Sequence, residues 1–340
     1  MSEFDKELSR RALLRGAGAL AGASALSALP LSGAFAAGYP DHNINVIVPT
    51  RAGGGADRNL RAVTGVWKKY LKTNFAPGFY PGASGRVGYE VYMGKRKPDA
   101  YNLLFGNMGP ELLNWVVKPP SFSLKDYVYF ARVDTDPGVL FVGAKSKLQS
   151  LDDVIREGKK RTLNVGTSRL AHPASIGALL FAEQVGIKIN LIPLSGGKNT
   201  IAGVVTGEMD LSTLTSGSVA ARGKSVKSLL VFNDKNLIPD RLDNAPTMNQ
   251  LYGTHIPPLL SSRAFAIQTK ATVDHPDRYK ILQTSFRKVF DDPAFKEAII
   301  RSKGVWEYIN YGGPEECAKY AAEIAKVGER FKPLLTGKKA

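Results

Sequence analysis

The sequence predicts an α/β protein with largely parallel sheets, on three observations. Short apolar, β-branched runs recur along the chain, helical apolar patterns separate them, and small-residue loops follow the runs. The first unit shows all three. Residues 44–49 (INVIVP) read as a strand, Gly53, Gly54 and Gly55 follow, and Leu60, Val63, Trp67, Tyr70 and Leu71 then fall on one helical face.

Later strand runs lie at 102–105, 128–132, 139–142, 163–165, 189–192 and 229–232. A capping-box pattern at residues 150–153 (SLDD) starts one helix. Residues 174–185 and 200–205 are apolar on one side, and two further helices are expected from His275 onward and over about 315–331. Residues 136–138 (DPG) read as a turn before a fresh strand. The stretch 238–246, with two prolines and several Asp and Asn, reads as a non-regular connection. Crossings between two domains are placed near 136 and near 240–260.

The N-terminal stretch is set apart from the fold. Arg10-Arg11 precede an Ala/Gly/Leu-rich run that closes in Ala34-Phe35-Ala36, the pattern of a bacterial twin-arginine export signal, with cleavage expected near Ala36 or Ala37. Cys317 is the sole cysteine, so no intramolecular disulfide can form, and a buried apolar role is expected for it. The formal net charge of +16 raises the local concentration of anions. The basic residues are scattered in runs no longer than 95–97 or 159–161, and export argues against nucleic acid, so small anions are the expected partners.

No local catalytic constellation stands out. A Gly-x-Ser-x-Gly elbow is missing, and residues 217–225 (GSVAARGKS) carry one residue too many for a phosphate-binding loop. His42, His172, His255 and His275 have no metal-ligand spacing, so neither metal nor cofactor is expected. What recurs instead is the small-residue loop after a strand: AGGG at 52–55, GNMG at 106–109, GTS at 166–168 and SGGKN at 195–199. Each alone is accounted for as a tight turn. Four of them, in a positive field, point to an anion-binding cleft at the carboxyl ends of strands.

An ordered series of motifs carries a resemblance over nearly all of the chain after the export signal. It runs from Tyr39-Pro40 and INVIVP with the glycine turn closed by Asp57, through PGASGRVG at 81–88, to PDAYNLLFG at 98–106. It continues with the loop and helix of 165–181, then Gly196-Gly197 through the Gly-x-x-Asp at 207–210, then Ala245-Pro246-Thr247. The sequence resembles the periplasmic substrate-binding receptors of tripartite tricarboxylate transporters, the Bug-type binding proteins. The resemblance implies a type II periplasmic-binding-protein fold, two α/β lobes with a ligand cleft between them. It places lobe one at 38–138 and 250–340 and lobe two at 139–249.

By the same resemblance, a ligand carboxylate is held by backbone N–H groups at Ala52, Gly53 and Gly54 and at Thr167, Ser168 and the helix start near Ala174. Asp57 is expected to tie the glycine loop to its helix. Arg51, Arg86, Arg169 and Tyr80 depart from the family pattern and are candidates for a second anionic group or an aromatic ring. Asn107 of the GNMG loop and Asp210 of the Gly-x-x-Asp motif complete the candidate set. The implied function is a periplasmic receptor, acting as a monomer and without enzymatic chemistry, that captures a small organic anion of carboxylate type and passes it to the membrane components of a transporter. Two other readings stay open on the residues alone: an enzyme on a two-lobe scaffold, and a ligand sensor for a signalling partner.

Overall fold

Three parallel strands begin the first sheet: β1 (Ile44–Val48) lies between β2 (Phe75–Phe79) and β3 (Asn102–Asn107). The structure, a computed structural model, describes residues 38–336, and the export signal expected over 1–37 lies outside them. Beyond β3 the sheet turns antiparallel. β4 (Tyr127–Asp134) and β11 (Arg263–Gln268) pair with each other, and β12 (Ile309–Gly312) closes the edge, giving the order β12-β4-β11-β3-β1-β2.

The second sheet is built on β5 (Asp136–Gly143), with the neighbouring order β10-β5-β8-β6-β7 and β9 also on β5. Its members are β6 (Leu163–Thr167), β7 (Ile189–Pro193), β8 (Leu211–Thr215), β9 (Val226–Phe232) and β10 (Leu260–Ser261). Only β7, β6 and β8 are mutually parallel. The expected largely parallel sheets are therefore mixed, because the strands that cross between the sheets run antiparallel to their neighbours. β2, β8, β10, β11 and β12 had no strand pattern in the sequence. β2 reads FAPGF and sits half-buried at an edge, where a proline removes no interior hydrogen bond.

In the first sheet, the helix Gly55–Leu71 buries Leu60, Val63, Trp67 and Leu71. Tyr70, expected on the same face, stays over a third exposed and donates to Asp292 Oδ2 at 3.0 Å. Trp67 lies fully buried among Phe75, Phe265 and Phe286, with ring centroids 4.9–5.1 Å away, and its Nε1 donates to Ser285 Oγ at 2.9 Å. In the second sheet, Ser150 caps the helix Leu151–Gly158 by accepting from Asp153 N, and Asp153 returns its own acceptor to Gln149 N. The C-terminal helix Pro314–Thr336 packs on the helix Met108–Val117 and on β4, and buries Cys317, whose thiol burial pushes up to about 12.

The chain leaves the first sheet after Asp134 and enters the second at Asp136, with Thr135 alone between them; it returns through Ser262 between β10 and β11. Residues 136–138, expected as a turn, are the start of β5, paired to β10 through Leu260 and Pro137. One buried cluster joins both crossings. The Arg263 guanidinium contacts the carboxylates of Asp134 and Asp136, the latter at 3.5 Å, and Arg263 N donates to Asp134 Oδ1 at 2.8 Å. Asn59 Nδ2 donates to Asp134 Oδ2 at 2.7 Å, Gly217 N to Asp136 Oδ1 at 2.9 Å, and Ser262 Oγ to the Asp134 carbonyl at 2.6 Å.

Removing one member of a buried ion cluster strands the others without compensation. Arg263→Ala is expected to cost about 3–5 kcal/mol of unfolding free energy in urea; a loss within the scatter of surface variants would show that the cluster carries no such strain. The cluster also sets a pH dependence, since it holds one more carboxylate than guanidinium. Burial raises Asp136 to about 6, against the pull of Arg263. The folded chain thus retains a proton there that the unfolded chain has released by about pH 4. That contribution is complete in acid and is lost as pH rises from about 4 through 6. Relative to Asp136→Asn, the native chain should lose on the order of 2 kcal/mol across this interval. Parallel stability curves for the two proteins would contradict it.

Candidate functional site

The strand-end loops are where the two sheets meet. AGGG follows β1, GNMG closes β3, GTS closes β6 and SGGKN follows β7, and each contributes to one cavity of about 720 Å³. Parallel strands of one sheet present their carboxyl ends together, so loops far apart in sequence converge.

The glycine loop owes its form to backbone more than to side chains. Gly53 takes φ of +74°, which residues with a Cβ rarely adopt, and a Cβ there would lie 2.9 Å from Lys198 Nζ of the opposite loop. A Cβ on Gly55 would stand 3.2 Å from an Arg263 guanidinium nitrogen and 3.3 Å from Ser218 Oγ. Gly53 and Gly55 clear space for cationic and hydroxyl side chains. Gly54 caps the helix Gly55–Leu71 without a side-chain hydrogen bond, while Asp57, at the helix's third position, accepts from Gly53 N at 2.6 Å and from Arg61 Nε at 2.7 Å. Asp57 ties loop to helix.

The wall is basic. Arg51, Arg58, Lys118, Arg169, Lys198, Arg222 and Arg263 line it, and no Asp or Glu does among the described residues. Arg169 reaches from the β6 loop across to the short turn at Ala83–Gly85, where its Nη1 donates to the Ser84 carbonyl at 2.8 Å. Behind Asn107 lies the buried Glu111, whose Oε2 accepts from Tyr89 Oη at 2.6 Å and Asn107 N at 2.7 Å. Burial pushes this carboxyl up to about 7, with the Arg169 charge opposing it. His172 caps the helix Pro173–Val185 by accepting from Ala174 N at 3.0 Å. Burial, with Arg169 and Arg263 near it, lowers His172 to about 3, so it is neutral at ordinary pH.

Of the candidates read from sequence, Arg51, Ala52, Gly54, Asn107, Ser168 and Arg169 line the cavity. Gly53 stands in the same loop, facing Lys198. The others do not line it. Thr167 is wholly buried, its hydroxyl paired with Ser175 Oγ at 2.7 Å and donating to the Arg169 carbonyl at 3.1 Å, so it shapes the loop from beneath. Ala174 is likewise buried, against Gly138. Tyr80 accepts from Arg96 at 2.9 Å. Arg86 turns outward, donating to the carbonyls of Lys118 and Pro119 and lying over the Trp115 ring at 5.4 Å. Asp210 precedes β8, at the end of the strand remote from the cavity, and holds Arg161 through two hydrogen bonds of 2.7 and 2.9 Å. Arg86, Tyr80 and Asp210 are thus engaged elsewhere.

The residues that sequence reasoning missed are Arg58, Lys198, Ser218, Arg222 and Arg263. A signal existed for some of them: Arg58, Lys198 and Ser218 each follow a strand-end glycine by one to three residues. Arg263 had none, because its neighbours come from strands more than a hundred residues away.

The family model described as the tripartite tricarboxylate transporter family receptor matches residues 77–331. Protein BugT of Bordetella pertussis is 26% identical over 267 residues, 76% of this chain and 80% of that protein. Among solved structures, a Rhodopseudomonas palustris protein with adipate aligns at a TM-score of 0.76 with 18% identity, covering 88% of this chain and 98% of its own. MatC of the same organism, with bound malate, aligns at 0.71 with 17% identity, covering 87% and 100%. These alignments agree with the two mixed sheets and the cavity between them: the fold is the two-lobed type II architecture. With the family pattern running through three quarters of its length, this chain belongs to the tripartite tricarboxylate transporter receptor family.

Proposed function

We propose that this protein is a periplasmic receptor that captures a small organic carboxylate in the cavity between its sheets and hands it to the membrane components of a tripartite transporter. The observation that carries the reading is the wall itself, with seven basic side chains and no acidic one among the described residues. Malate and adipate accompany two of the aligned structures, and a family relationship gives reason to look for carboxylates here too. In such a cleft, guanidinium groups and backbone N–H groups attract an anion before contact and hold it after. No bond need be made or broken, so binding and release suffice for the role.

We further infer that the lobes are divided where the chain changes sheets. Lobe two then spans 136–261, longer than the 139–249 expected from sequence, because β5 starts at Asp136 and β10 pairs with it. The lobes hinge on Thr135 and Ser262, close on the ligand, and act as one monomer. Residues 1–37 serve as the twin-arginine export signal. No helix among the described residues is long and apolar enough to cross a membrane.

A ligand that binds only the folded state raises the melting temperature with its concentration. A panel of mono-, di- and tricarboxylates at low ionic strength should contain at least one class with a dose-dependent rise that its amides or esters lack. No rise for any acid, in folded and ligand-free protein, would refute the carboxylate reading. Arg169 provides a second test, because it both lines the cavity and bridges to Ser84. Arg169→Ala should weaken the best carboxylate by roughly tenfold or more in calorimetry, the scale of one charged hydrogen bond. Unchanged affinity would leave Arg169 as a strut only.

A further inference from the structure

One corner of the cavity carries more donors than a carboxylate can use. Arg58 comes from the first turn of the helix Gly55–Leu71, Arg222 from just beyond the short helix Ser216–Ala220, and Arg263 from the start of β11. All three line the cavity, together with Ser218, Gly55 and Ala56. An Arg263 guanidinium nitrogen and Ser218 Oγ both stand within 3.3 Å of the point a Gly55 Cβ would occupy, so they face one another across the glycine.

The accounting of charge and hydrogen bonds in this corner is lopsided. Asp134 and Asp136 are the acidic groups beside it, with Asp57 next to Arg58 already bonded to Gly53 N and Arg61 Nε. The oxygens of Asp134 and Asp136 are taken by Arg263, by Asn59 and by Gly217 N. Arg58 has no ion pair and no side-chain hydrogen bond among the described residues, and its Nε is shut off from solvent without a partner. Arg222 has none either, and burial, followed by the nearness of Arg263 and Arg222, lowers the Arg58 guanidinium against the opposing pull of Asp136 and Asp57. Arg58 is half-buried and Arg222 exposed, and like charge beside the unpaired, half-buried Arg58 is unfavourable until an anion arrives.

We propose that this corner is a phosphoryl-type subsite, and that the preferred ligand carries a phosphonate or phosphate monoester group as well as a carboxylate. The inference rests on the reading of the cavity as an organic-anion site. Two unpaired guanidinium groups match the charge of a dianionic head. Donors arriving from three separate elements match three oxygens in a tetrahedron, whereas a carboxylate offers two oxygens in one plane. The helix N-terminus at Gly55 and Ala56, uncapped by any side chain, adds its N–H groups on the same side. The cavity volume leaves room for the rest of the ligand to reach the loops of Ser168 and Lys198.

The test pairs ligands that differ only in their head group: phosphonoacetate against malonate, and 3-phosphonopropionate against succinate. Calorimetry is run on native protein, Arg58→Ala and Arg222→Ala, with the fold of each variant checked by circular dichroism. The native protein should bind the phosphonate of a pair at least tenfold more tightly, and either variant should erase that preference while weakening the dicarboxylate far less. Dicarboxylates bound as well as phosphonates, or a preference that survives both substitutions, would overturn the subsite and leave the carboxylate receptor standing. Binding of neither series, nor of any acid in the wider panel, would overturn both. Lys118→Ala, in which a basic side chain elsewhere in the cavity is removed, should keep the preference; its loss there too would mean that overall charge, not this corner, sets it.

Discussion

Arg263 enters the first sheet directly after the chain has left the second, and it is held there by two carboxylates that flank the other crossing. Asp134 ends β4 and Asp136 begins β5, so one buried guanidinium fastens both connections between the sheets. A buried ion cluster adds little net stability over a well-packed apolar alternative, but it tolerates few geometries. Here the geometry it fixes is the relation of the two sheets at their joint. Asn59 and Gly217 extend the cluster into the helix after β1 and the short helix after β8, the two elements that bring Arg58 and Ser218 to the cavity. The joint between the sheets and the cavity wall are therefore one hydrogen-bonded system.

That coupling explains why the cavity can hold so much positive charge. Separate basic residues on a surface are screened within about 8–10 Å and cost little. Arg58, Arg222 and Arg263 share one corner, and only Arg263 has its charge met by carboxylates. Arg222 is exposed to water, so it is the half-buried Arg58 whose stability has to come from elsewhere. It comes from aromatic packing around Trp67 under the same helix that carries Arg58, where burial of a large ring stabilises by a few kcal/mol. A rigid helix presents the charge without letting it swing out to solvent.

Much of the fold was legible because its strands and helices are locally consistent. INVIVP, the run at 163–165 and the apolar face from Leu60 to Leu71 each announce their element from neighbours alone. The strands that escaped are those whose reason for being extended lies across the sheet. β8 reads LSTLT, with Ser212 and Thr213 buried yet satisfied by the carbonyls of Thr200, Val139 and Ala174. β5 begins with Asp-Pro-Gly, which spells a turn until Arg263 and Gly217 N are supplied to hold Asp136. The site divides in the same way. Small-residue loops after strands were readable, and they do converge. Which arginines join them was not, since Arg86 and Arg58 look equally basic in sequence and differ only in what lies beside them: backbone carbonyls for Arg86, like charge for Arg58.

The two halves of the wall also differ in kind, and this bears on how a ligand is trapped. Contacts between the halves already exist: Arg169 reaches the Ser84 carbonyl, and Lys198 lies against Gly53. Both involve a flexible cation from the second sheet meeting backbone of the first, so each can be exchanged for a ligand oxygen at small cost. The Arg263 corner, by contrast, is fixed by buried bonds and does not need a ligand to form. A ligand would meet a preformed socket at the joint first and gather the mobile cations of the opposing loop second. The closure proposed for the lobes would then draw its free energy from contacts that only the gathered state makes, which is the condition for a ligand to shift a two-state equilibrium at all.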